Sequence, residues 1–400
     1  MVLPLQPAPE AIELRHLRAF VAVARELSFS RAADRLYLSQ PALSRQVRAL
    51  ERLVGCTLLR RSTHRVELTL AGEALLGRAE DLIADLDSAV TATRSVGGAN
   101  AERVTRLWAT LVNVSAAGPG LSGLRASVEE LHAKLAPPAG VDIRAEQLGG
   151  VAALRCDPTE PLERSRRRAL FLHGGGFVAG SAYGYRHLAG ALAVVARQPV
   201  IVPDYRLAPE HPFPAALNDA VSVYQALLAA GHAAADLAVV GDSSGGALAL
   251  SLLLALRERG QPMPGRALLM SPWLDIGAAA ERAGPARPGA VALEATARFA
   301  QLYLSGHRPD DPLVDLLSND MSGLPPLLVQ AGTGDMLAGE ARRFVERATA
   351  ASVDASLDLY PSDTHDFHLF WSFLPEASDA LHQGGNFLAA DEPRAITTSA

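Results

Sequence analysis

Three side chains of the kinds used in acyl transfer each follow a short apolar run of the chain. They are a serine inside a Gly-Asp-Ser-Ser-Gly-Gly stretch, an aspartate and a histidine, in the order Ser243, Asp335 and His365. A serine hydroxyl is a weak nucleophile, so it needs a base that takes its proton and an acid that orients the base. The sequence therefore predicts Ser243 as the nucleophile, His365 as the base and Asp335 as the orienting acid.

The stretch around Ser243 is flanked by two different apolar patterns. Residues 237–240 form a continuous apolar run, and residues 247–256 are apolar at helical spacing. A strand, Gly-x-Ser-x-Gly and a helix are the setting of a nucleophile elbow, whose sharp turn raises the serine above the sheet. The motif alone also fits a plain Gly/Ser turn of an α/β unit. The chain order serine, aspartate, histidine is that of α/β hydrolases and favours the elbow.

A glycine-rich loop, residues 173–177, follows the predicted buried strand 168–172 and reads His-Gly-Gly-Gly-Phe. Gly174 and Gly175 lack a Cβ, so their N–H groups can approach a substrate closely. The N–H of Ser244 lies where a helix begins beyond the nucleophile. Loss of one oxyanion donor typically costs on the order of 10²–10³ in rate. We therefore predict an oxyanion hole made by Gly174, Gly175 and Ser244.

Other titratable residues near these motifs are predicted to have structural roles. Asp242 points away from the nucleophile in an elbow. His173 is expected to hold the glycine-rich loop, because His365 occupies the later position that the base requires. Asp275 lies beyond a different strand, and His368 is expected to pack or to lie at the surface.

Apolar runs alternate with helical patterns over much of the chain after residue 135. This alternation predicts an α/β fold with a mostly parallel sheet and helices on both faces. Residues 141–146 and 151–155 are predicted as two strands joined by a turn. Because Asp335 and His365 each follow a strand, both are expected at the sheet edge where the elbow presents its serine.

Length and composition indicate more than one domain and exclude a membrane span. A chain of 400 residues suggests two or three domains, and 49% hydrophobic residues suffice for a large core. The apolar runs are short and interrupted, and residues 1–13 lack the basic start and apolar core of a secretory signal. The two cysteines, Cys56 and Cys156, predict neither a disulfide framework nor a metal site, so we expect a cytoplasmic protein.

The net charge of −6 hides an uneven distribution. Residues 11–70 carry eleven arginines against five acidic residues, whereas residues 71–400 carry 26 basic and 37 acidic residues. A basic module joined to an acidic one suggests that the front of the chain meets a polyanion. Chance surface composition is the alternative that charge alone leaves open.

The basic front of the chain shows the pattern of a helix-turn-helix. Residues 14–27 and 29–36 are predicted as helices, and Ser39 can cap a third helix with Pro41 in its first turn. On the third helix, apolar residues are expected to face the core and polar residues to project away. The apolar set is Leu43, Val47 and Leu50, and the polar set is Gln40, Ser44, Arg45 and Arg48. This pattern places the third helix in the major groove of DNA, with residues 57–70 as a wing that touches phosphates.

Residues 73–94 are predicted as one long helix. Small and apolar residues recur along it at intervals of four and three, as in a coiled-coil seam. They are Leu75, Ala79, Leu82, Leu86 and Ala89. The seam fits either the pairing of two subunits or packing on the chain itself. Residues 95–101, with two glycines, are the natural linker to the rest of the chain.

Several stretches of the front end carry a family resemblance. They are Ser28-Phe-Ser-Arg-Ala-Ala33, Ser39-Gln-Pro-Ala-Leu-Ser-Arg-Gln-Val47, Leu50-Glu51, Gly55 and Leu68-Thr-Leu-Ala-Gly72. Together they resemble the winged helix-turn-helix of LysR-type transcriptional regulators. The resemblance implies contacts with double-stranded DNA from Gln40, Pro41, Ser44, Arg45 and Arg48, and pairing of two subunits through the helix 73–94. A LysR-type regulator would continue into a two-lobed effector domain, which the chain after residue 100 does not resemble.

A second set of motifs lies in the body of the chain. They are His173-Gly-Gly-Gly-Phe177, Tyr205-Arg-Leu-Ala-Pro-Glu-His-Pro-Phe-Pro214, Gly241-Asp-Ser-Ser-Gly-Gly246, Ser271-Pro-Trp-Leu-Asp275, Gly323-Leu-Pro-Pro326 and His365-Asp-Phe367. In this order they resemble the hormone-sensitive-lipase family of α/β hydrolases over residues 110–385. The resemblance implies a carboxylesterase-like enzyme for small or medium acyl esters, with no metal or organic cofactor. It also implies a cap over the pocket, from the segment before the sheet and from about residues 277–319.

The chain departs from this family at three places near the site. Ser244 stands after the nucleophile, where the family commonly has alanine, but its backbone N–H remains. Gly339 stands where a supporting carboxylate is usual in the motif that begins at Asp335. Residues 362–364 replace the usual Gly-Met-x before the histidine. These departures leave the fold secure and put the rate in question.

We therefore predict an α/β-hydrolase fold, with a mostly parallel sheet and a helical cap, preceded by an α-helical winged helix-turn-helix domain. The predicted boundaries are 12–71 for the DNA-binding domain, 72–100 for the linker helix, 101–390 for the hydrolase with its cap and 391–400 for a tail. Expected partners are an ester substrate, double-stranded DNA and a second copy of the chain, without a membrane.

Two functions stay open on the sequence. The first is an active serine esterase tethered to DNA. The second is a transcriptional regulator whose hydrolase fold senses a ligand with little or no turnover. The intact triad favours the first, because a pure sensor does not need all three residues. A third hypothesis is that two neighbouring reading frames were joined in error. The glycine-bearing linker neither supports nor excludes it.

Overall fold

The computed structural model describes residues 12–36, 38–61, 66–96, 98, 100, 102–108, 120–161, 166–281 and 291–390. For residues 34, 61, 87–96, 281 and 291–295 it describes the backbone alone. The chain divides into two compact units, Met1–Arg94 and Ser95–Ala400. The predicted tail 391–400 and the centre of the predicted wing, residues 62–65, lie outside the described residues.

The first unit is a helical domain with a two-stranded wing. Its elements are α1 (Leu14–Glu26), α2 (Phe29–Arg35), α3 (Gln40–Val54), β1 (Leu59–Arg61), β2 (Val66–Leu68) and α4 (Leu70–Val96). The two wing strands pair antiparallel. Phe20 of α1 is buried in one core with Leu43 and Val47 of α3. The predicted helix-turn-helix fold is confirmed.

The residues of the predicted seam differ in exposure along the long helix α4. Leu75 packs against the core of the first unit and Ala79 is buried in it. Further along, Leu82 is 56% exposed and Leu86 is 41% exposed. The start of the helix thus packs on its own chain, and the pairing of two subunits stays a prediction for the remainder. Neither α4 nor any other helix in the described part of the chain is long and apolar enough to cross a membrane.

The second unit contains an eight-stranded sheet. The strands are β3 (Val141–Leu148), β4 (Val151–Pro158), β5 (Arg168–Leu172), β6 (Val200–Pro203), β7 (Leu237–Asp242), β8 (Arg266–Met270), β9 (Leu327–Gly332) and β10 (Ala355–Tyr360). Their order is β10-β9-β8-β7-β5-β6-β4-β3. Strands β5 to β10 pair in parallel, whereas β4 pairs antiparallel with both β3 and β6. The mostly parallel sheet is confirmed.

Helices cover both faces of this sheet. The helices of this unit include α5 (Gly120–Ala133), α6 (Ala182–Ala196), α7 (Ala215–Ala229), α8 (Ser244–Glu258), α9 (Ile276–Glu281), α10 (Val291–Leu304), α11 (Ala338–Ala350) and α12 (Pro375–Ala389). Along β5, Leu170 and Leu172 point to the core formed with α7, α8 and α11. Ala169 and Phe171 point to the core formed with α6 and α12. Burial on both faces explains why the last four residues of this strand, 169–172, are all apolar.

Four histidines are buried in the second unit: His132, His173, His187 and His368. Burial, the main cause, lowers the pKa of His187 to about 4 and that of His368 to about 3. It lowers the pKa of His132 well below its ordinary value. The His132 ring centroid lies 4.5 Å from that of Tyr185 and 5.4 Å from that of His187. These rings are neutral in the fold, so the unfolded chain takes up protons first as the pH falls.

We expect His187→Asn to reduce the acid sensitivity of the free energy of unfolding. Because the folded pKa of His187 is about 4 against an ordinary 6.5, the unfolded chain binds an extra proton between those values. Stability from this group is therefore lost as the pH falls through that window, by about 1.4 kcal/mol per pH unit. Denaturant unfolding at several pH values measures the slope, with the exposed His382→Asn as the control. Equal slopes in His187→Asn and the wild type would contradict the expectation.

Candidate active site

Ser243 lies at the tight turn between β7 and α8. Its backbone has φ 53 and ψ −118, a left-handed φ that serine rarely adopts. A Cβ on Gly241 would lie 2.1 Å from the Gly245 carbonyl oxygen. A Cβ on Gly245 would lie 2.0 Å from the carbonyl oxygen of Leu172 in β5. Backbone therefore passes directly against backbone at this turn, as a nucleophile elbow requires.

The three residues predicted for nucleophilic chemistry meet at one edge of the sheet. Ser243 Oγ lies 2.9 Å from His365 Nε2. His365 Nδ1 lies 3.1 Å and 3.0 Å from the two carboxylate oxygens of Asp335. The aspartate follows β9 and the histidine follows β10, so parallel strands deliver both side chains to the edge where the elbow stands. The contacts have the geometry of a nucleophile, a base and an orienting acid in series.

Burial and charge act in opposite directions on this series. Burial alone would raise the pKa of the Asp335 carboxyl, but the charge and hydrogen bond of His365 and the N–H of Leu337 lower it. For His365, burial favours the neutral ring, whereas the carboxylates of Asp366 and Asp335 raise its pKa to about 10. The site thus stabilises the imidazolium, which is the form that the base takes after it accepts the serine proton.

The predicted oxyanion donors lie on two segments that meet beside the elbow. The loop after β5 turns sharply at Gly175, which has φ 116 and whose carbonyl accepts hydrogen bonds from the N–H groups three and four residues further on. A Cβ on Gly174 would lie 2.5 Å from the Tyr185 hydroxyl. The third predicted donor, Ser244, is the first residue of α8. Ser244 directly follows Ser243, and a Cβ on Gly174 would lie 3.1 Å from the Asp242 carbonyl oxygen. The role of Gly174, Gly175 and Ser244 in holding an oxyanion stays a prediction.

His173 lies between two aromatic rings at the base of the glycine-rich loop. Its ring centroid is 4.2 Å from that of Tyr205 and 5.5 Å from that of Tyr185. The Tyr205 hydroxyl donates to the His173 carbonyl at 2.6 Å, and His173 Nδ1 lies 2.8 Å from the Gly174 carbonyl. Burial, partly offset by that last contact, lowers the pKa of His173 to about 4. These contacts agree with the predicted loop-holding role.

Cap helix α10 packs against the same loop. The ring of Tyr303 stacks on Phe177 with centroids 3.7 Å apart, and it meets Phe213 edge-on at 5.7 Å. A Cβ on Gly176 would lie 2.5 Å from the ring of Phe299. Aromatic side chains of the cap therefore touch the loop that carries the predicted oxyanion donors. Part of the predicted cap, residues 282–290, lies outside the described residues.

Asp275 and His368, for which structural roles were predicted, make contacts that agree with such roles. Asp275 pairs with Arg343 at 3.4 Å. His368 is buried, with its ring centroid 4.0 Å from that of Phe367. Burial raises the pKa of the Cys156 thiol to about 12. Among the described residues, no group of three or more His, Cys, Asp or Glu side chains could hold a metal ion.

Three polar contacts around the site were not predicted from the sequence. The Ser244 hydroxyl accepts a hydrogen bond from the Phe177 N–H at 3.3 Å and so links the glycine-rich loop to the elbow. The Glu340 carboxylate accepts hydrogen bonds from two backbone N–H groups after β8, at 2.8 Å and 2.9 Å. Asp366 Oδ1 lies 3.2 Å from His365 Nε2. In the sequence, Ser244 at a position where alanine is common was a signal for the contact with Phe177. Asp366 next to His365 was a signal for the contact with Nε2.

In the first unit, α3 presents the residues predicted to contact DNA. The Ser39 side-chain oxygen accepts a hydrogen bond from the Ala42 N–H at 3.4 Å and caps the helix as predicted. The apolar face, Leu43, Val47 and Leu50, is fully buried. Of the opposite face, Gln40, Pro41, Arg45 and Arg48 are exposed and Ser44 is half-buried. The five side chains are therefore placed for a groove contact, which stays a prediction.

Comparison with protein families divides the chain in the same way as the fold. Residues 169–369 match a family described as alpha/beta hydrolase fold. Residues 14–73 match the bacterial regulatory helix-turn-helix proteins of the lysR family. The first match contains every residue of the predicted triad and oxyanion hole. The second contains all five residues predicted to contact DNA.

Individual relatives show the same division. An acetyl-hydrolase of Streptomyces hygroscopicus is 37% identical over 230 residues, which are 57% of this chain and 77% of that protein. A crystal structure of an esterase from the bacterial hormone-sensitive lipase family has a TM-score of 0.63 and 34% identity, over 71% of this chain and 96% of that one. An uncharacterized helix-turn-helix-type transcriptional regulator of Escherichia coli is 53% identical over 78 residues, which are 20% of this chain and 26% of that protein.

Proposed function

The chain belongs to the α/β hydrolase fold family, is a serine-type carboxylic ester hydrolase and carries a lysR-family helix-turn-helix; from this premise we propose that Ser243, His365 and Asp335 hydrolyse esters of small or medium acyl groups. The observation that carries the proposal is the unbroken series of contacts from Ser243 Oγ through His365 to Asp335. The preference for small acyl groups is supported by the likeness to an acetyl-hydrolase.

The proposed reaction begins with attack of Ser243 Oγ on the ester carbonyl carbon. His365 Nε2 takes the hydroxyl proton, and Asp335 holds the ring in the tautomer that leaves Nε2 free to do so. The imidazolium then gives its proton to the departing alkoxide, which leaves an acyl group on the serine. Water, activated by the same histidine, hydrolyses the acyl-enzyme and restores the three groups.

The negative charge that develops on the carbonyl oxygen is assigned to three backbone donors, the N–H groups of Gly174, Gly175 and Ser244. Such donors act without reorganisation because the fold holds them in place before substrate binds. The contact of Phe177 N–H with the Ser244 hydroxyl supports this assignment, since it joins the two segments that carry the donors.

Ser243→Ala should abolish the hydrolysis of short-chain aryl esters by the full-length protein. Loss of the nucleophile from a triad of this kind lowers kcat by roughly 10⁴–10⁶-fold. The rate is measured with aryl esters of increasing acyl length, with Ser222→Ala on α7 as a matched control that keeps wild-type activity. A folded wild-type protein without turnover above that of Ser243→Ala would contradict the proposal. The hypothesis of a ligand-sensing regulator would then be favoured over that of an active esterase.

For the first unit, we propose specific binding to a two-fold site in double-stranded DNA. The support is the exposed polar face of α3, which carries Arg45 and Arg48 above a fully buried apolar face. Side chains placed in this way on the third helix reach base edges and phosphates in the major groove. The exposed Leu82 and Leu86 of α4 are the proposed contacts between two copies of the chain.

Arg45→Ala should weaken binding to the specific site by about 1–3 kcal/mol. In the wild type, log affinity should fall steeply as log salt rises, because binding to phosphates releases counterions. Fluorescence anisotropy over a salt series measures both effects, with Arg342→Ala on the exposed side of α11 as a charge-matched control. A salt-independent affinity, or equal affinity for all sequences, would contradict the DNA-binding assignment.

A further inference from the structure

Two buried carboxyl groups flank the reacting residues along the chain. Asp242 precedes the nucleophile and Asp366 follows the base, and both side chains are buried. They are close enough for each to act on the pKa of the other. Asp242 Oδ2 accepts a hydrogen bond from the Tyr185 hydroxyl at 3.0 Å. The two acids therefore form an acidic pair beside Ser243 and His365.

Ionisation of both acids at once is unfavourable. Two buried carboxylates close to each other repel and lose their hydration, which favours the retention of a proton by the pair. Burial first, and then the charge of Asp366, raises the pKa of Asp242 well above its ordinary value. Burial also raises the pKa of Asp366. Asp242 Oδ1 and Asp366 Oδ1 are both buried without a hydrogen-bond partner among the described residues, so a proton on either acid has a buried oxygen available to accept it.

The pair reaches the reacting nitrogen of the base through Asp366. Its Oδ1 lies 3.2 Å from His365 Nε2, the same nitrogen that lies 2.9 Å from Ser243 Oγ. Asp366 has φ 52, a left-handed conformation that aspartate, asparagine and glycine tolerate better than other residues. The residue after the base is thus held in a turn that brings a carboxyl oxygen to the nitrogen that must accept the serine proton.

We propose that Asp366, paired with Asp242, is a positioning residue that sets the pH below which His365 can no longer act as the base. A carboxylate at Nε2 stabilises the imidazolium and keeps the ring protonated to a higher pH than Asp335 alone would. The proton that the acid pair shares reduces this charge and moderates the effect. The inference rests on the proposed ester hydrolysis and deepens it.

The charges that act on this nitrogen come from several elements. Within the described residues, the titratable groups that face the base and its acidic neighbours are Asp335 after β9, Asp242 at the end of β7, Tyr185 on α6, Tyr205 after β6, and Asp366 and His368 after β10. Burial and Asp242 together raise the pKa of Tyr185 well above its ordinary value, so its hydroxyl remains a donor. His368 is neutral because burial lowers its pKa to about 3. Burial likewise raises the pKa of Tyr205 well above its ordinary value, so the negative charge beside His365 comes from the carboxyls of this set.

The test is the pH profile of kcat/KM for Asp366→Asn beside the wild type. Asparagine keeps the shape and the left-handed turn but removes the charge. The acid limb of the profile should move to lower pH by about one unit or more, as expected for the loss of one charge within contact distance. At a pH below the wild-type limb, the variant should be the faster enzyme. A purely structural role would lower the rate at every pH and leave the limb where it is.

Two further variants protect this test. Asp366→Gly also fits the left-handed turn and should shift the limb in the same direction, which covers the case in which Asp366→Asn folds poorly. Asp363→Asn removes an exposed carboxylate from the same loop and should leave the limb in place. An unmoved limb in folded Asp366→Asn, or an equal shift in Asp363→Asn, would overturn the inference. Absence of turnover in the wild type would instead overturn the proposed function.

Discussion

The hydrolase unit depends on one close passage of backbone, where the turn of Gly241 and Gly245 crosses the end of β5. A side chain does not fit at Gly245, because its Cβ would lie 2.0 Å from the carbonyl oxygen of Leu172. The turn between the two glycines has a left-handed φ of 53 at Ser243, and α8 begins directly beyond it. Ser243 thereby stands at the carboxyl edge of the sheet. Asp335, His365 and the glycine-rich loop reach that edge from β9, β10 and β5.

The site that forms around this fixed serine is rich in negative charge. Asp335 contacts one nitrogen of His365 and Asp366 approaches the other, and Asp242 lies behind them. One ring thus stands between two acids, which favours uptake of the serine proton and opposes its transfer to the leaving group. A base is most effective when both transfers are feasible near the working pH. A proton held by the pair of Asp242 and Asp366 makes both transfers feasible, because it reduces the negative charge beside Nε2 and leaves Asp366 in place.

The sequence was sufficient to predict the helix-turn-helix fold and to bring Ser243, Asp335 and His365 together, because motifs and the order of strands determine both; the catalytic roles of the three residues stay a prediction. Parallel strands deliver the residues after them to one edge, so Asp335 and His365 could be placed beside Ser243 from the order of strands alone. The contact of Asp366 with Nε2 could not be predicted, because it depends on a left-handed turn and on how two loops meet. The seam on α4 was ambiguous for a related reason. Ala79 and Leu82 follow the same spacing, yet Ala79 is buried in the core and Leu82 is exposed.

Trapping of the acyl-enzyme tests the central claim most directly. The full-length protein is mixed with a short-chain aryl ester, quenched with acid during turnover and analysed by intact mass and peptide mapping. We expect one acyl group, carried by Ser243, which forms with the release of the aryl alcohol and disappears when the ester is consumed. Hydrolysis that proceeds without an acyl group on Ser243, or with the acyl group on another residue, would contradict this expectation.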